Sequence, residues 1–202
     1  MIAPDQATLH AAVAVAGGLA IDAAIGDPAA PWHPVRLLGR LAAGAESVAR
    51  RIWKAPVAQD RTEVGPRGLA TRAVLAGASA WLAVVAAAGG FALALGRAAG
   101  ALHPMAGLAV DMLIVWASVA PADLAAHAAR VRRALEAAER GESGALERSR
   151  AAVSMLVGRD VSALDASGVA RACVESVAES SIDGAAAPLF WAALLGPAGA
   201  AA

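Results

Sequence analysis

The sequence predicts an all-α, polytopic helical membrane protein with cytoplasmic helical segments, and three observations carry that prediction. Hydrophobic residues make up 58% of the 202-residue chain and mean hydropathy is +0.57, whereas a soluble domain is about 45–50% apolar. The apolar residues gather into four stretches near the ~20 helical residues that cross a hydrocarbon core of about 30 Å. The polar segments between them carry apolar residues at helical spacing. Aromatic residues are only 3% and Tyr is absent, so alanine supplies much of the apolar content and each span is mildly hydrophobic. A net charge of zero gives no reason to expect a nucleic-acid partner. The single cysteine, Cys173, cannot form an internal disulfide and says nothing of an oxidising compartment. Met1 to Gln6 holds no Lys or Arg, so a secretory signal peptide of the usual form is not expected.

The whole chain, 1–202, reads as one domain. The first stretch runs over about 8–25, and the second, 73–95, has no charge at all and is the clearest span. The third, 101–120, contains His103 and Asp111. The fourth, 185–202, is interrupted by Pro188, Gly196 and Pro197. Lys and Arg concentrate in the segments 26–72 and 121–184, with only Arg97 between the second and third spans. Positive residues accumulate on the cytoplasmic side. Both segments are therefore expected in the cytoplasm, with the N-terminus and the hairpin tip near Arg97–Gly100 outside. Pro28, Pro31 and Pro34 make residues 27–34 an extended loop. Val35–Trp53 follows as a helix, and Pro56, Gly65 and Pro66 mark a loop over 53–68. Ala122–Glu139 is a strong helix former, with Leu124, Ala128, Val131 and Leu135 at helical spacing. Gly141 and Gly144 break it, Ala145–Leu156 resumes helix, and Gly158 stops it. Asp160 or Ser162 is expected to cap a last helix ending near Glu179.

Common nucleotide and zinc signatures are absent. The sole lysine, Lys54, has no glycine-rich loop before it, and the four histidines are scattered. The densest polar cluster is Arg171-Ala-Cys-Val-Glu175-Ser-Val-Ala-Glu179-Ser-Ser-Ile-Asp183-Gly184. Arg171, Glu175 and Glu179 share a helix face at i, i+4, i+8 spacing, with Val169, Cys173 and Val177 on a packing face. Arg171 offsets the charge of Glu175, while Glu179 and Asp183 have no cation nearby in sequence and lie at an expected helix end, where the dipole opposes carboxylates. Mg²⁺ is commonly held by one or two carboxylates, water and substrate phosphates. On spacing alone a solvated helix face with one ion pair is the favoured reading. Asp27, His33 and Arg36 follow the first span. Arg36 suits a phosphate or carboxylate and His33 a donor or general base. An interface loop with Trp32 in the aromatic belt explains the same residues equally well. Gly158-Arg159-Asp160 reads as a helix stop followed by a cap. Asp22 is expected to reach water at the cytoplasmic end of its span. Asp111, at mid-span, is expected to face a bundle interior or a partner chain. Cys173 reads as a small packed hydrophobe.

Three blocks together resemble one family. Gly26-Asp27-Pro28 with Trp32-His33-Pro34-Val35-Arg36-Leu37-Leu38-Gly39-Arg40 is similar to the N-terminal signature of the CobD/CbiB family. Arg150 with Ser154-Met155-Leu156-Val157-Gly158-Arg159-Asp160 resembles its central signature. Val169-Ala170-Arg171, Val174 to Glu179, Asp183-Gly184 and Ala187 to Trp191 resemble its most distinctive one. The blocks keep the family's order and extend over about 22–202. Ser180 stands where the family usually has Asn, which exchanges an amide for one hydroxyl. Family members continue well past this point, so the chain is expected to be a fragment or to lack a part of the enzyme.

The resemblance implies an ATP-dependent ligation in cobalamin biosynthesis at the cytoplasmic face of the bacterial inner membrane. Adenosylcobyric acid would join (R)-1-aminopropan-2-ol, or its O-phosphate, through an amide. It implies Mg²⁺ and ATP as cofactors and a corrinoid as substrate, with the bilayer and a homo-oligomer among the partners. Asp27, His33, Glu175 and Glu179 would be catalytic, Arg36, Arg159 and Asp160 would bind substrate or phosphate, and Glu179 and Asp183 would hold the metal. One site would require the segment around Trp32–Arg40 to meet Glu175–Asp183. The competing expectation is a non-catalytic membrane subunit or transporter fragment, with Asp22 and Asp111 lining a polar path at mid-membrane.

Overall fold

Prolines set where most of the long helices begin. In the structure, a computed structural model that describes residues 5–27, 34–55 and 66–202, α1 is Gln6–Ile25, α2 Pro34–Ile52, α3 Pro66–Leu102, α4 Pro104–Ser118 and α5 Pro121–Glu139. Proline is the first residue of α2 to α5, where its missing N–H breaks no intrahelical bond. α6 (Ala145–Val153) and α7 (Ala166–Ser181) follow. A π-helical turn, Ile182–Ala186, leads into α8 (Ala187–Leu195), and a 3₁₀ turn, Pro197–Ala201, ends the fold. No strand occurs among the described residues. Asp5 caps α1 by accepting the Thr8 N–H at 2.7 Å. Gly26 ends α1 at φ +66°, a conformation that glycine adopts without strain.

Three stretches are long and apolar enough to cross a membrane: Gln6–Ile25, Thr71–Leu102 and Pro104–Glu139. The last combines α4 and α5, which are separated at Val119 and Ala120; its apolar part is α4. The chain is thus an all-α membrane protein. The second expected span lies inside α3, whose 37 residues extend about 55 Å at 1.5 Å per residue. The third is shorter than expected, because the turn at His103 leaves 101–102 on α3. The fourth expected span, 185–202, is not a single helix. α8 has nine residues, about 13 Å, and Gly196 at φ +77° turns the chain back. Gly199 then packs so closely on α8 that a Cβ there would meet the Trp191 carbonyl.

Small residues let the spans approach closely. A Cβ on Gly18 would lie 2.7 Å from Val115, and one on Gly107 2.8 Å from the Gly100 Cα. α3 and α4 form an antiparallel hairpin, with Gly96 against Asp111 and Gly100 against Gly107. Contacts along α1 advance with those along α4, from His10–Asp111 to Gly18–Val115 to Gly26–Trp116. The two helices therefore run in the same direction, and the start of α1 lies at the hairpin-tip end. Val115, Val119, Ala192 and Ala200 form the core between α4 and the returning α8 segment. α2 lies along α3 through Ala49, Ala76 and Ala80, and the Trp53 indole N–H donates to the Ser79 hydroxyl at 3.1 Å. α5, α6 and α7 make a separate small core in which Val131, Val153 and Val169 are fully buried, each burial stabilising by about 1.5–3 kcal/mol.

The cap of α7 is Asp165, which accepts the Gly168 N–H at 2.7 Å. Asp160 and Ser162, the expected caps, lie earlier in the loop, where Asp160 accepts the Ser162 N–H at 2.9 Å instead. The last turn of α7 holds Glu179, as expected, but the chain does not stop there. It passes through the π turn into α8, so Glu179 and Asp183 do not face a free helix C-terminus and the expected dipole penalty does not apply.

Candidate functional site

Three breaks in the helices meet at the end of the bundle opposite the hairpin tip. α4 stops because Pro121 disfavours helix in the residue before it, and Ala120 adopts φ −141°. The freed Ala120 N–H donates to the Gly184 carbonyl at 2.9 Å. That carbonyl is itself left over, since its i+4 partner would be Pro188, which has no N–H. The Trp116 indole N–H donates to the Gly26 carbonyl at 3.1 Å, and the Gly26 N–H to the Asp22 carbonyl at 2.7 Å. Asp22 is 1% exposed, against the expectation that it reaches water. Its Oδ2 accepts the Ala122 N–H at 2.9 Å, supplying the N-cap that Ala120 cannot.

A cavity of about 940 Å³ opens beside this junction. Pro34, Leu37 and Leu38 of the first signature line it together with Asp183, Pro188 and Trp191 of the third. Trp81, Phe91 and Trp116 supply further apolar wall. Among the described residues Asp183 is the one ionisable side chain in the lining. A mostly apolar pocket of this size with few convergent polar groups suits a small-molecule ligand.

The other expected site residues are distributed around this end. Asp27 is exposed and directly follows Gly26, while Arg36 is exposed in the first turn of α2. His33 lies outside the described residues. Arg159 and Glu175 come together, the guanidinium Nη2 donating to Oε2 at 3.0 Å, with both side chains more than half exposed. Glu175 thus pairs with Arg159 across the α6–α7 loop and not with Arg171, its neighbour one helical turn away. The Ser176 hydroxyl donates to the Leu156 carbonyl at 2.7 Å, which ties α7 to the central signature. Asp160 is held below the ordinary aspartate range by the Ser162 N–H. Glu179 is exposed on the last full turn of α7, one turn before Asp183. No cluster of three or more His, Cys, Asp or Glu side chains suited to a metal occurs among the described residues. Cys173 packs partly buried on the α5–α7 core, and that burial raises its thiol pKa. Asp111 faces the bundle interior, 2.7 Å from His10 Nε2 and against Gly96, away from the large cavity.

Sequence reading missed the cap made by Asp22 and the Ala120–Gly184 bond. Two signals were present: a proline-started helix without a local capping residue, and a proline four residues after Gly184.

Comparison with known proteins adds a direct result. The family model described as CobD/Cbib protein matches residues 15–202. The chain is 38% identical over 176 residues to a cobalamin biosynthesis protein CobD of Klebsiella pneumoniae subsp. pneumoniae, covering 87% of this chain and 49% of the relative. It is 31% identical over 179 residues to a cobalamin biosynthesis protein CobD of Clostridium perfringens, covering 89% and 50%. A cobalamin biosynthesis protein CbiB of Salmonella typhimurium is 35% identical over 171 residues, covering 85% and 47%. The chain spans about half the length of the curated relatives it matches. No solved structure matches it significantly.

Proposed function

This chain belongs to the CobD/Cbib family, and from that premise we propose that it works in cobalamin biosynthesis, in the ATP-dependent ligation of adenosylcobyric acid with (R)-1-aminopropan-2-ol or its O-phosphate. The product is adenosylcobinamide or its phosphate. The observation that carries this reading is the cavity shared by Pro34, Leu37 and Leu38 with Asp183 and Pro188. Two family signatures about 150 residues apart in sequence contribute to one space, as a single site requires. The alternative of a transporter path draws no support from Asp111, which is engaged by His10 outside that cavity.

In this reading the site faces the cytoplasm of the bacterial inner membrane. Asp183 at the cavity wall binds the amine or the cation, and Glu179 supplies a second carboxylate. Two hard oxygen donors one turn apart fit Mg²⁺, which ordinarily completes its shell with water and substrate phosphates. When bound, the cation offsets triphosphate charge. Arg36 and Arg159 hold phosphate oxygens through charge-assisted hydrogen bonds, with Arg159 oriented by Glu175. Asp160, ionised at neutral pH, orders the loop that carries Arg159. Asp27 or His33 keeps the attacking amine neutral as general base.

The test uses membranes bearing this chain, alone and co-expressed with the half of the Klebsiella pneumoniae relative that it does not match. They are supplied with adenosylcobyric acid, ATP, Mg²⁺ and either amine, and the amide product is followed by mass spectrometry. ATP-dependent product is expected. Its absence from both preparations would overturn the reading.

A further inference from the structure

We infer that Asp22 is a positioning residue: its buried carboxylate seats the α4–α5 junction, and the junction fixes how Asp27 and Asp183 stand relative to each other. This builds on the reading that those two carboxylates serve one site. A carboxylate 1% exposed is an expensive group to keep, because burial removes its hydration. Asp22 is compensated by the Ala122 N–H at 2.9 Å and by the positive end of α5. Its other oxygen, Oδ1, is buried without a hydrogen-bond partner. A group with half its capacity unused is a poor source of stability, and an apolar replacement for a buried ion is often neutral or stabilising.

What the carboxylate does achieve is placement. A local Ser or Asp at position 120 would cap α5 without reference to any other helix. A cap delivered from α1, 100 residues earlier, fixes α5 against the end of α1. The same short junction holds both flanks of the site. Trp116 grips the Gly26 carbonyl, next to Asp27, and Ala120 grips the Gly184 carbonyl, next to Asp183. Each carboxylate is therefore one residue away from a backbone group anchored on Trp116–Ala122, the segment that Asp22 seats.

The experiment measures the geometry directly. Spin labels are attached through Ile25→Cys and Ile182→Cys, both exposed positions, in a Cys173→Ser background in lipid nanodiscs, and the inter-label distance distribution is recorded. The parent gives one narrow distribution. Asp22→Ala broadens or shifts it, while Asp22→Asn, whose amide oxygen still accepts the Ala122 N–H, keeps it narrow. A purely stabilising residue gives a different result: Asp22→Ala melts earlier, yet the folded protein shows the parent distribution, and that outcome would overturn the inference. Should Asp22→Ala fail to fold, Trp116→Phe decides, since it deletes the indole donor and keeps an aromatic ring. Broadening supports the coupling and an unchanged distribution refutes it. In the ligation assay Asp22→Ala lowers kcat/KM by about 10–100-fold, the cost of misplacing reacting groups, and Asp22→Asn largely rescues it. Absence of ligation in every preparation would defeat the proposed function and leave the distance measurement to decide this inference.

Discussion

Asp183 and Glu179 lie four residues apart and both are exposed, but of the two Asp183 lines the cavity, so they differ in the work each is suited to do. Asp183 is the one ionisable side chain among the described residues in an otherwise apolar cavity wall, so it is the charge that a ligand in that cavity would meet. Glu179 is exposed on α7. Asp183→Asn is therefore expected to cut amide formation by about 100-fold or more, in the range seen when one preorganised electrostatic contact is removed. Glu179→Gln is expected to impair turnover mainly at low Mg²⁺. Circular dichroism and membrane extraction should match the parent for both. Wild-type rates for both variants across a Mg²⁺ titration would return the cluster to a solvated helix face. The Arg159–Glu175 pair is a different case. Both partners are more than half exposed, so a double-mutant cycle on thermal stability should give a coupling of only about 0.2–1 kcal/mol. A much larger coupling would show that the pair supports the fold and not a ligand.

At the scale of elements, close approach and orphaned backbone groups govern the packing. Gly107 of α4 meets the Gly100 backbone, where a Cβ would come within 2.8 Å. Backbone cannot yield as a flexible side chain does, so Gly107→Leu should destabilise the hairpin by at least about 1–3 kcal/mol. Thermal melting in detergent checks this, with Gly39→Ala as the control, because nothing lies within 4 Å of that position. Pro188 leaves the Gly184 carbonyl, inside the π turn, without its i+4 donor. Pro188→Ala restores an N–H that competes with Ala120 for the Gly184 carbonyl. Amide exchange at Ala120 should accelerate, and an unchanged rate would mean that the missing Pro188 N–H is not what keeps the Gly184 carbonyl available to Ala120.

At the scale of the whole molecule, the polar signatures lie at one end of the bundle and the hairpin tip at the other. Reporter fusions at Gly100 and in the Gly141–Gly144 turn should accordingly report opposite sides of the membrane, the first outside and the second cytoplasmic. A cytoplasmic signal at Gly100 would overturn that topology. Much of this plan is legible in the sequence. The charge-free run 73–95 marks α3 and proline marks where four helices start, while the signatures supply only part of the cavity wall and, of the expected site residues, Asp183 alone among those described. The fourth stretch misleads because apolar composition says where a chain avoids water, not whether a glycine at 196 turns it back. The partner of Glu175 was hidden for a related reason. Spacing along one helix nominates Arg171, whereas the loop that delivers Arg159 is a tertiary fact. The buried state of Asp22 was equally invisible, since its donor lies 100 residues away. That separation carries a consequence for biosynthesis. The His10–Asp111 and Asp22–Ala122 bonds both join α1 to chain about 100 residues downstream. At translation speeds of about 5–20 residues per second, the first helix leaves the ribosome roughly 5–20 s before either partner exists. Throughout that interval two carboxylate-dependent contacts of the nascent chain are unmade, so α1 needs temporary shelter, from the insertion machinery or from water at the lipid surface, until α4 and the start of α5 arrive.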